Sequence, residues 1–114
     1  IPLAGANHWF GFSELARRHG DYAIVGMAAT ARRENAALHD LRIALLGVDA
    51  KPVRALRTEA LLQGKRLDQA TVALAVATLR EEIDPLPDLT NTPETKRHLA
   101  GVLLQRMLAA VDGI

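Results

Sequence analysis

Apolar positions follow different patterns in the two halves of the chain. In the second half they recur at steps of three and four residues, which is typical of amphipathic helices. The last such stretch begins at Thr92-Pro93, where a capping hydroxyl precedes a proline suited to the first helical turn, and it ends at Asp112-Gly113. The apolar stripe of this predicted helix consists of Leu99, Val102, Leu103, Met107 and Ala110.

Two further helices are predicted upstream of this one. Asp68 is a suitable N-cap for a helix over residues 69–83. A shorter helix fits residues 57–63, with Gly64 in the left-handed conformation that commonly closes helices. Two prolines follow the longer helix and predict a stiff turn, because each disfavours helix in the residue before it.

The first half has the composition of short strands. Residues 22–31 and 41–48 are strand-like, and Glu34-Asn35 between them is suited to a turn. The segment 13–19 fits either a short helix or a further strand beside residues 22–31. Because two strands alone are marginal and need a cover, the pattern predicts an α+β fold, in which a small antiparallel sheet of about three strands has three helices packed on one face.

Composition narrows the class of protein. The chain has 114 residues with a net charge of +1, which predicts one domain over residues 1–114 and argues against nucleic-acid binding. It has no cysteine, hence no disulfide and no thiolate ligand. There is no apolar run long enough for a membrane span and no signal peptide, so we expect a cytoplasmic domain. The first residue is Ile1 rather than Met, which predicts that the chain is a piece of a longer one.

The sequence predicts no catalytic residue and no metal ligand. The four histidines are spaced too widely for a metal-ligand pair, and there is no glycine-rich phosphate loop. Glu81, Glu82 and Asp84 cluster at a helix end, where an exposed charged turn explains them better than a pair of general acids. A well-formed domain without a catalytic group is typical of a binding or completing module.

Three stretches, taken in order, resemble a known family. The set comprises GFSELARRHGDYA at 11–23, RIALLGV at 42–48 with KPVRA at 51–55, and EIDP at 82–85 with DL at 88–89 and KRHLA at 96–100. It is similar to the C-terminal domain of the flavoprotein (medium) subunit of molybdenum hydroxylases, the carbon monoxide dehydrogenase and xanthine dehydrogenase family. The resemblance extends from about Phe10 to Leu108.

The resemblance implies a small antiparallel sheet backed by helices, and a role inside an FAD-dependent oxidoreductase complex. The domain would complete an FAD site built mostly by an upstream FAD-binding domain. Its other partners would be an iron–sulfur subunit and a molybdopterin subunit, and electrons would pass from the iron–sulfur clusters through FAD to an external acceptor. Taken alone, the segment is not expected to be catalytic.

The resemblance also places two residues in the vicinity of the flavin. Asp21 lies in the Arg-Arg-x-x-Asp-Tyr-Ala stretch, where it would pair with Arg17 and Arg18, and Ile24 occupies a position at which one relative has a lysine. Ile24 could contribute only apolar packing. Two alternatives stay open: a non-enzymatic subunit-interaction module of the same fold without flavin, and a standalone regulatory domain.

Overall fold

The computed structural model describes residues 8–15, 25–34, 37–48, 51–85 and 92–112. Four antiparallel strands form one sheet in the order β1-β2-β3-β4. The strands and helices are β1 (His8–Leu15), β2 (Val25–Glu34), β3 (Ala37–Leu46), β4 (Val53–Arg54), α1 (Leu56–Leu62), α2 (Gln69–Glu82) and α3 (Pro93–Asp112). The α+β fold with an antiparallel sheet and three helices is thereby confirmed.

The strands depart from the sequence-based bounds in three places. A fourth strand, β4, is only two residues long, too short to be recognised by alternation. Residues 13–15 belong to β1, so the strand alternative is correct for that part of 13–19, while 16–19 lie outside the described residues. The central strands run closer together than predicted, to Glu34 and from Ala37, and Asn35 of the predicted turn lies outside the described residues.

A β-bulge in β3 explains its early start. The β2–β3 register shifts between Thr30 and Arg32, and Asp40 has a positive φ of 53°. The extra residue puts Leu38 and Leu41 on the same buried face, although strict alternation would place residues three apart on opposite faces. The bulge therefore adds Leu38 to the core. Asp40 tolerates this conformation better than most residues, and it also pairs with Arg32 at 3.0 Å.

Substituting Asp40 tests whether its backbone conformation matters more than its ion pair. Asp40→Gly and Asp40→Val both remove the carboxylate, but only glycine adopts a φ of 53° without steric cost. We expect the valine variant to be less stable than the glycine variant by about 2 kcal/mol in urea unfolding. Equal stabilities of the two variants would show that β3 follows another path at this position.

The core lies between one face of the sheet and the helices. Helix α3 contacts β1 and β2, α1 contacts β3, and α2 packs on α1 and α3. The buried side of α3 consists of Ala100, Leu103, Leu104, Met107, Leu108 and Val111. The predicted stripe was right for Leu103 and Met107 but wrong for Ala110, which is exposed, because the helix is rotated toward the sheet by its larger leucines.

Side chains of α1 complete the edge of β3 beyond the short strand β4. Ala55 donates its N–H to the carbonyl of Ile43, and the N–H of Ile43 donates to Glu59 Oε2 at 2.9 Å. Glu59 is 7% exposed and also binds the guanidinium of Arg54. The carboxylate thus occupies the place of the next strand residue, and it satisfies a buried backbone donor that would otherwise be orphaned.

Glu82 joins the end of α2 to the beginning of α1. Ala55, the N-cap of α1, provides no side-chain acceptor. Instead, Glu82 accepts hydrogen bonds from the N–H groups of Arg57 and Thr58, at 2.9 and 2.8 Å, and from the buried hydroxyl of Thr58. The interpretation of Glu82 as part of an exposed charged turn is therefore wrong, because its carboxylate caps a neighbouring helix.

The predicted N-terminal cap of each longer helix is present. Thr95 donates its N–H to the hydroxyl of Thr92 at the start of α3, and Thr71 donates its N–H to Asp68 Oδ1 at 2.7 Å. The bond from Thr71 holds the pKa of Asp68 below its ordinary value. Gly64, after α1, has a φ of 72° and adopts the predicted left-handed conformation.

The Asp68 cap gives a pH dependence with a defined sign. A carboxylate whose pKa is lower in the folded state stabilises fully above its ordinary pKa of 3.8, and this contribution disappears as pH falls through the lower folded value. We expect Asp68→Asn, which can still accept from Thr71, to lose less Tm than the unmodified protein between roughly pH 5 and pH 2. Parallel Tm curves for the two proteins would contradict this origin of the pH dependence.

No helix in the described part of the chain is long and apolar enough to cross a membrane.

Candidate functional site

The two residues predicted near a flavin, Asp21 and Ile24, lie outside the described residues, as do Arg17 and Arg18. Ile24 directly precedes Val25, the first residue of β2, and Val25 pairs with Leu15, the last residue of β1. The segment that carries the predicted residues therefore connects these two strands at one end of the sheet.

The sheet surface opposite the helices is the main functional candidate among the described residues. This open face is formed by Phe10, Phe12, Ala28, Thr30, Arg42, Ala44 and Leu46. Phe10 is 66% exposed, Phe12 is 53% exposed and Leu46 is 36% exposed. They are the only two phenylalanines in the chain, so its largest purely apolar side chains lie on the surface and not in the core. Exposed apolar side chains that are contiguous usually mark an interaction site.

The open face has a depression along its centre. The register places Phe12 beside Ala28 and Ala28 beside Ala44, so small side chains lie between the aromatic side chains of β1 and the basic side chains of β3 and β4. The depression has a cavity volume of about 250 Å³, and it is lined by Ala28, Thr30, Arg42, Ile43, Ala44 and Arg54. Such a surface suits an inserted side chain or loop.

Two arginines lie on the basic side of the depression, and their charges differ in availability. Arg54 is bound to Glu59, and this hydrogen-bonded carboxylate raises the pKa of Arg54 above its ordinary value. Arg42 is exposed and has no ion-pair partner within the part of the chain that the structure describes. The open face therefore presents one cation to a binding partner. Sequence reasoning missed this residue, since only the strand register places it beside the apolar side chains.

A second, larger groove lies between α2 and α3, with a cavity volume of about 550 Å³. The guanidinium of Arg80 lies at its floor against Gly101, and Arg80 Nε is buried without a hydrogen-bond partner within the described residues. A Cβ placed on Gly101 would come within 2.4 Å of Arg80 Nε, so the glycine makes room for the arginine. The groove otherwise has mixed polar and apolar walls and lacks a cluster of chemically reactive groups.

The described ranges contain no group of three or more His, Asp or Glu side chains that could hold a metal ion. Of the histidines, His39 lies in β3 and His98 in α3, while His19 is outside these ranges. The geometry of the described residues is thus that of a binding surface.

Comparison with known proteins identifies the family. Residues 10–111 match the profile of the family described as CO dehydrogenase flavoprotein C-terminal domain. The β subunit of caffeine dehydrogenase from Pseudomonas sp. (strain CBB1) is 33% identical over 115 aligned residues, which cover all of this chain and 39% of that protein.

Solved structures agree with the sequence comparisons. A carbon monoxide dehydrogenase from Hydrogenophaga pseudoflava, lacking the Mo-pyranopterin moiety of its molybdenum cofactor, has a TM-score of 0.85 at 30% identity; the match covers 97% of this chain and 39% of that chain. Quinoline 2-oxidoreductase from Pseudomonas putida 86 has a TM-score of 0.82 at 31% identity, covering 99% of this chain and 39% of that chain. The chain thus spans about two-fifths of the length of these relatives. The resemblance inferred from the three sequence stretches is confirmed, and the chain belongs to the CO dehydrogenase flavoprotein C-terminal domain family.

Proposed function

We propose that this domain completes the FAD site of the flavoprotein subunit of a molybdenum hydroxylase complex. The observation that carries the proposal is the family match over residues 10–111. The names of the relatives agree with it, since they include a caffeine dehydrogenase subunit and carbon monoxide dehydrogenase medium chains. The activity would belong to the assembled complex and not to this domain alone.

The described residues fit a wall of a flavin site better than a complete one. The sequence has no glycine-rich loop to bind a pyrophosphate. The depression of the open face, about 250 Å³, is smaller than the roughly 300–1,000 Å³ of pockets that enclose a whole ligand. Most of the cofactor would therefore be bound by an upstream FAD-binding domain, and this domain would exclude water from part of it.

When bound, FAD supplies the electron chemistry that links iron–sulfur clusters to an external acceptor. The contribution of this chain is packing and charge. In the proposed site Ile24 provides apolar packing near the flavin, and Asp21 pairs with Arg17 and Arg18 to fix the entry to β2. These assignments rest on the sequence resemblance.

The proposed partners are an iron–sulfur subunit and a molybdopterin subunit. Iron–sulfur clusters are ligated by cysteine thiolates. Residues 1–114 contain no cysteine, so clusters in such a complex would be bound by other polypeptide regions. This division of cofactors agrees with the relatives being single subunits of named dehydrogenases.

Flavin content tests the proposed function. The complete flavoprotein that carries this domain is purified together with its complex, and its visible absorbance spectrum is recorded before and after denaturation in acid. We expect stoichiometric FAD, released on denaturation. A well-folded complex without flavin would contradict the proposal and would favour the interaction module of the same fold.

Asp21→Asn in the complete flavoprotein tests the proposed role of that carboxylate. The substitution removes the charge that pairs with Arg17 and Arg18 and leaves the shape of the side chain almost unchanged. We expect a lower FAD occupancy, measured as flavin absorbance per protein. Asp88→Asn, which removes a carboxylate outside that stretch, is the matched control. Unchanged FAD occupancy together with unchanged Tm in Asp21→Asn would exclude this role.

A further inference from the structure

The open face combines three properties that are unusual for a solvent-exposed sheet surface. Both phenylalanines of the chain are exposed on it, its centre is concave because the side chains there are small, and Arg42 has no ion-pair partner within the described residues. Exposed apolar area favours burial against protein by roughly 25 cal/mol per Å². These properties together indicate a surface that is covered in the native protein.

The charge on the face specifies what a covering surface should present. Thr30 lies opposite Arg42 on the neighbouring strand, and Phe10 lies opposite Thr30 on the next one. A guanidinium that is buried against apolar groups is stabilised only when a carboxylate pairs with it. The complementary surface is therefore apolar where it meets Phe10 and Phe12, and it carries an Asp or Glu side chain opposite Arg42.

The length of the relatives indicates where this surface comes from. Chains of similar fold are about two and a half times as long, since this chain covers 39% of them. In addition, the open face is continuous with the start of β2, directly after the stretch proposed to lie near the flavin. A single polypeptide region that contacts both would explain why each is placed at this end of the fold.

We propose that the open face is a docking surface for the FAD-binding region of the same flavoprotein subunit, which contacts Phe10 and Phe12 through apolar side chains and pairs a carboxylate with Arg42. This inference rests on the proposed function for the identity of the docked region. It adds the contacting face, the residues that make the contact and the charge of the partner side chain.

The absence of cysteine in the chain allows a direct accessibility experiment. Thr30→Cys places a thiol at the centre of the open face, and Ala70→Cys places a control thiol on the exposed start of α2. Each variant of the complete flavoprotein is reacted with a maleimide, alone and in its assembled complex, and the labelled peptide is quantified by mass spectrometry. We expect Thr30→Cys to react at least about tenfold more slowly than Ala70→Cys already in the flavoprotein alone, since tenfold corresponds to about 1.4 kcal/mol.

The other outcomes would overturn the proposal, and each points to a different occupant. Equal reaction of both thiols in the subunit and in the complex would mean that the face is uncovered. Protection of Thr30→Cys only in the complex would assign the face to another subunit. Protection that increases with the concentration of the flavoprotein would assign it to a second copy of the same chain.

The charge on the face is tested separately. Adding Arg42→Glu to Thr30→Cys should raise the reaction rate of the thiol about tenfold, because like charges oppose docking, whereas Arg42→Lys should keep most of the protection. No change with Arg42→Glu would exclude the carboxylate pairing. Flavin absorbance is recorded on the same samples: full FAD with an unprotected face refutes the docking proposal alone, and a protected face without FAD refutes the proposed function alone.

Discussion

Glu59→Ala is expected to lower the free energy of unfolding by about 3 kcal/mol. The alanine cannot accept the hydrogen bond from the N–H of Ile43, which is a fully buried residue, and it leaves the Arg54 guanidinium without its carboxylate. An unsatisfied buried donor costs about 1–3 kcal/mol, and removing one member of a buried charged network costs more than removing a surface pair. Urea unfolding followed by circular dichroism provides the measurement.

Two further variants separate the parts of the Glu59 network. Glu59→Gln retains an oxygen that can accept from Ile43, so we expect a loss of only about 1 kcal/mol. Arg54→Ala leaves the bond from Ile43 to Glu59 in place and should destabilise less than Glu59→Ala. If Arg54→Ala destabilised as much as Glu59→Ala, the ion pair and not the edge of β3 would account for the effect.

Glu82→Ala is the second substitution with a large expected effect, a loss of about 2 kcal/mol. It removes the acceptor for two N–H groups in the first turn of α1 and for the hydroxyl of Thr58, which is fully buried. Ala55 has no side-chain acceptor with which to replace it. The expected consequence is a lower Tm, since the contact between α1 and α2 is lost with the cap.

The adjacent residue provides a matched control. Glu81 is 72% exposed, and its only printed ion pair is at 3.7 Å from Arg57, so Glu81→Ala should change stability by less than about 0.5 kcal/mol. Both variants remove one glutamate from the last turn of α2. Equal effects of Glu81→Ala and Glu82→Ala would mean that net charge, and not the cap, determines the stability of this contact.

The elements that the sequence predicted well carry local signals. Thr92-Pro93, Asp68 and Gly64 each act on the backbone within a few residues, so their caps and the helix ends follow from neighbouring positions alone. The resemblance to the family likewise rested on short stretches that can be read in order along the chain.

The features that the sequence did not predict depend on contacts between distant residues. Glu59 and Glu82 look like surface charges until the fold brings them to Ile43 and to the start of α1, 16 and 25 positions away. The bulge at Asp40 breaks the alternation from which a strand is inferred. For the open face, the register of three strands is needed before Arg42 and Phe12 are seen on one surface.

The most direct test of the account links the domain to the flavin. The complete flavoprotein is heated while flavin release is followed by fluorescence and unfolding by circular dichroism, in the Glu82→Ala and Glu81→Ala variants. If this domain completes the FAD site, Glu82→Ala should lower the temperatures of unfolding and of flavin release together, and Glu81→Ala should change neither. Unfolding at a lower temperature with flavin release unchanged, or a protein that contains no flavin, would contradict the account.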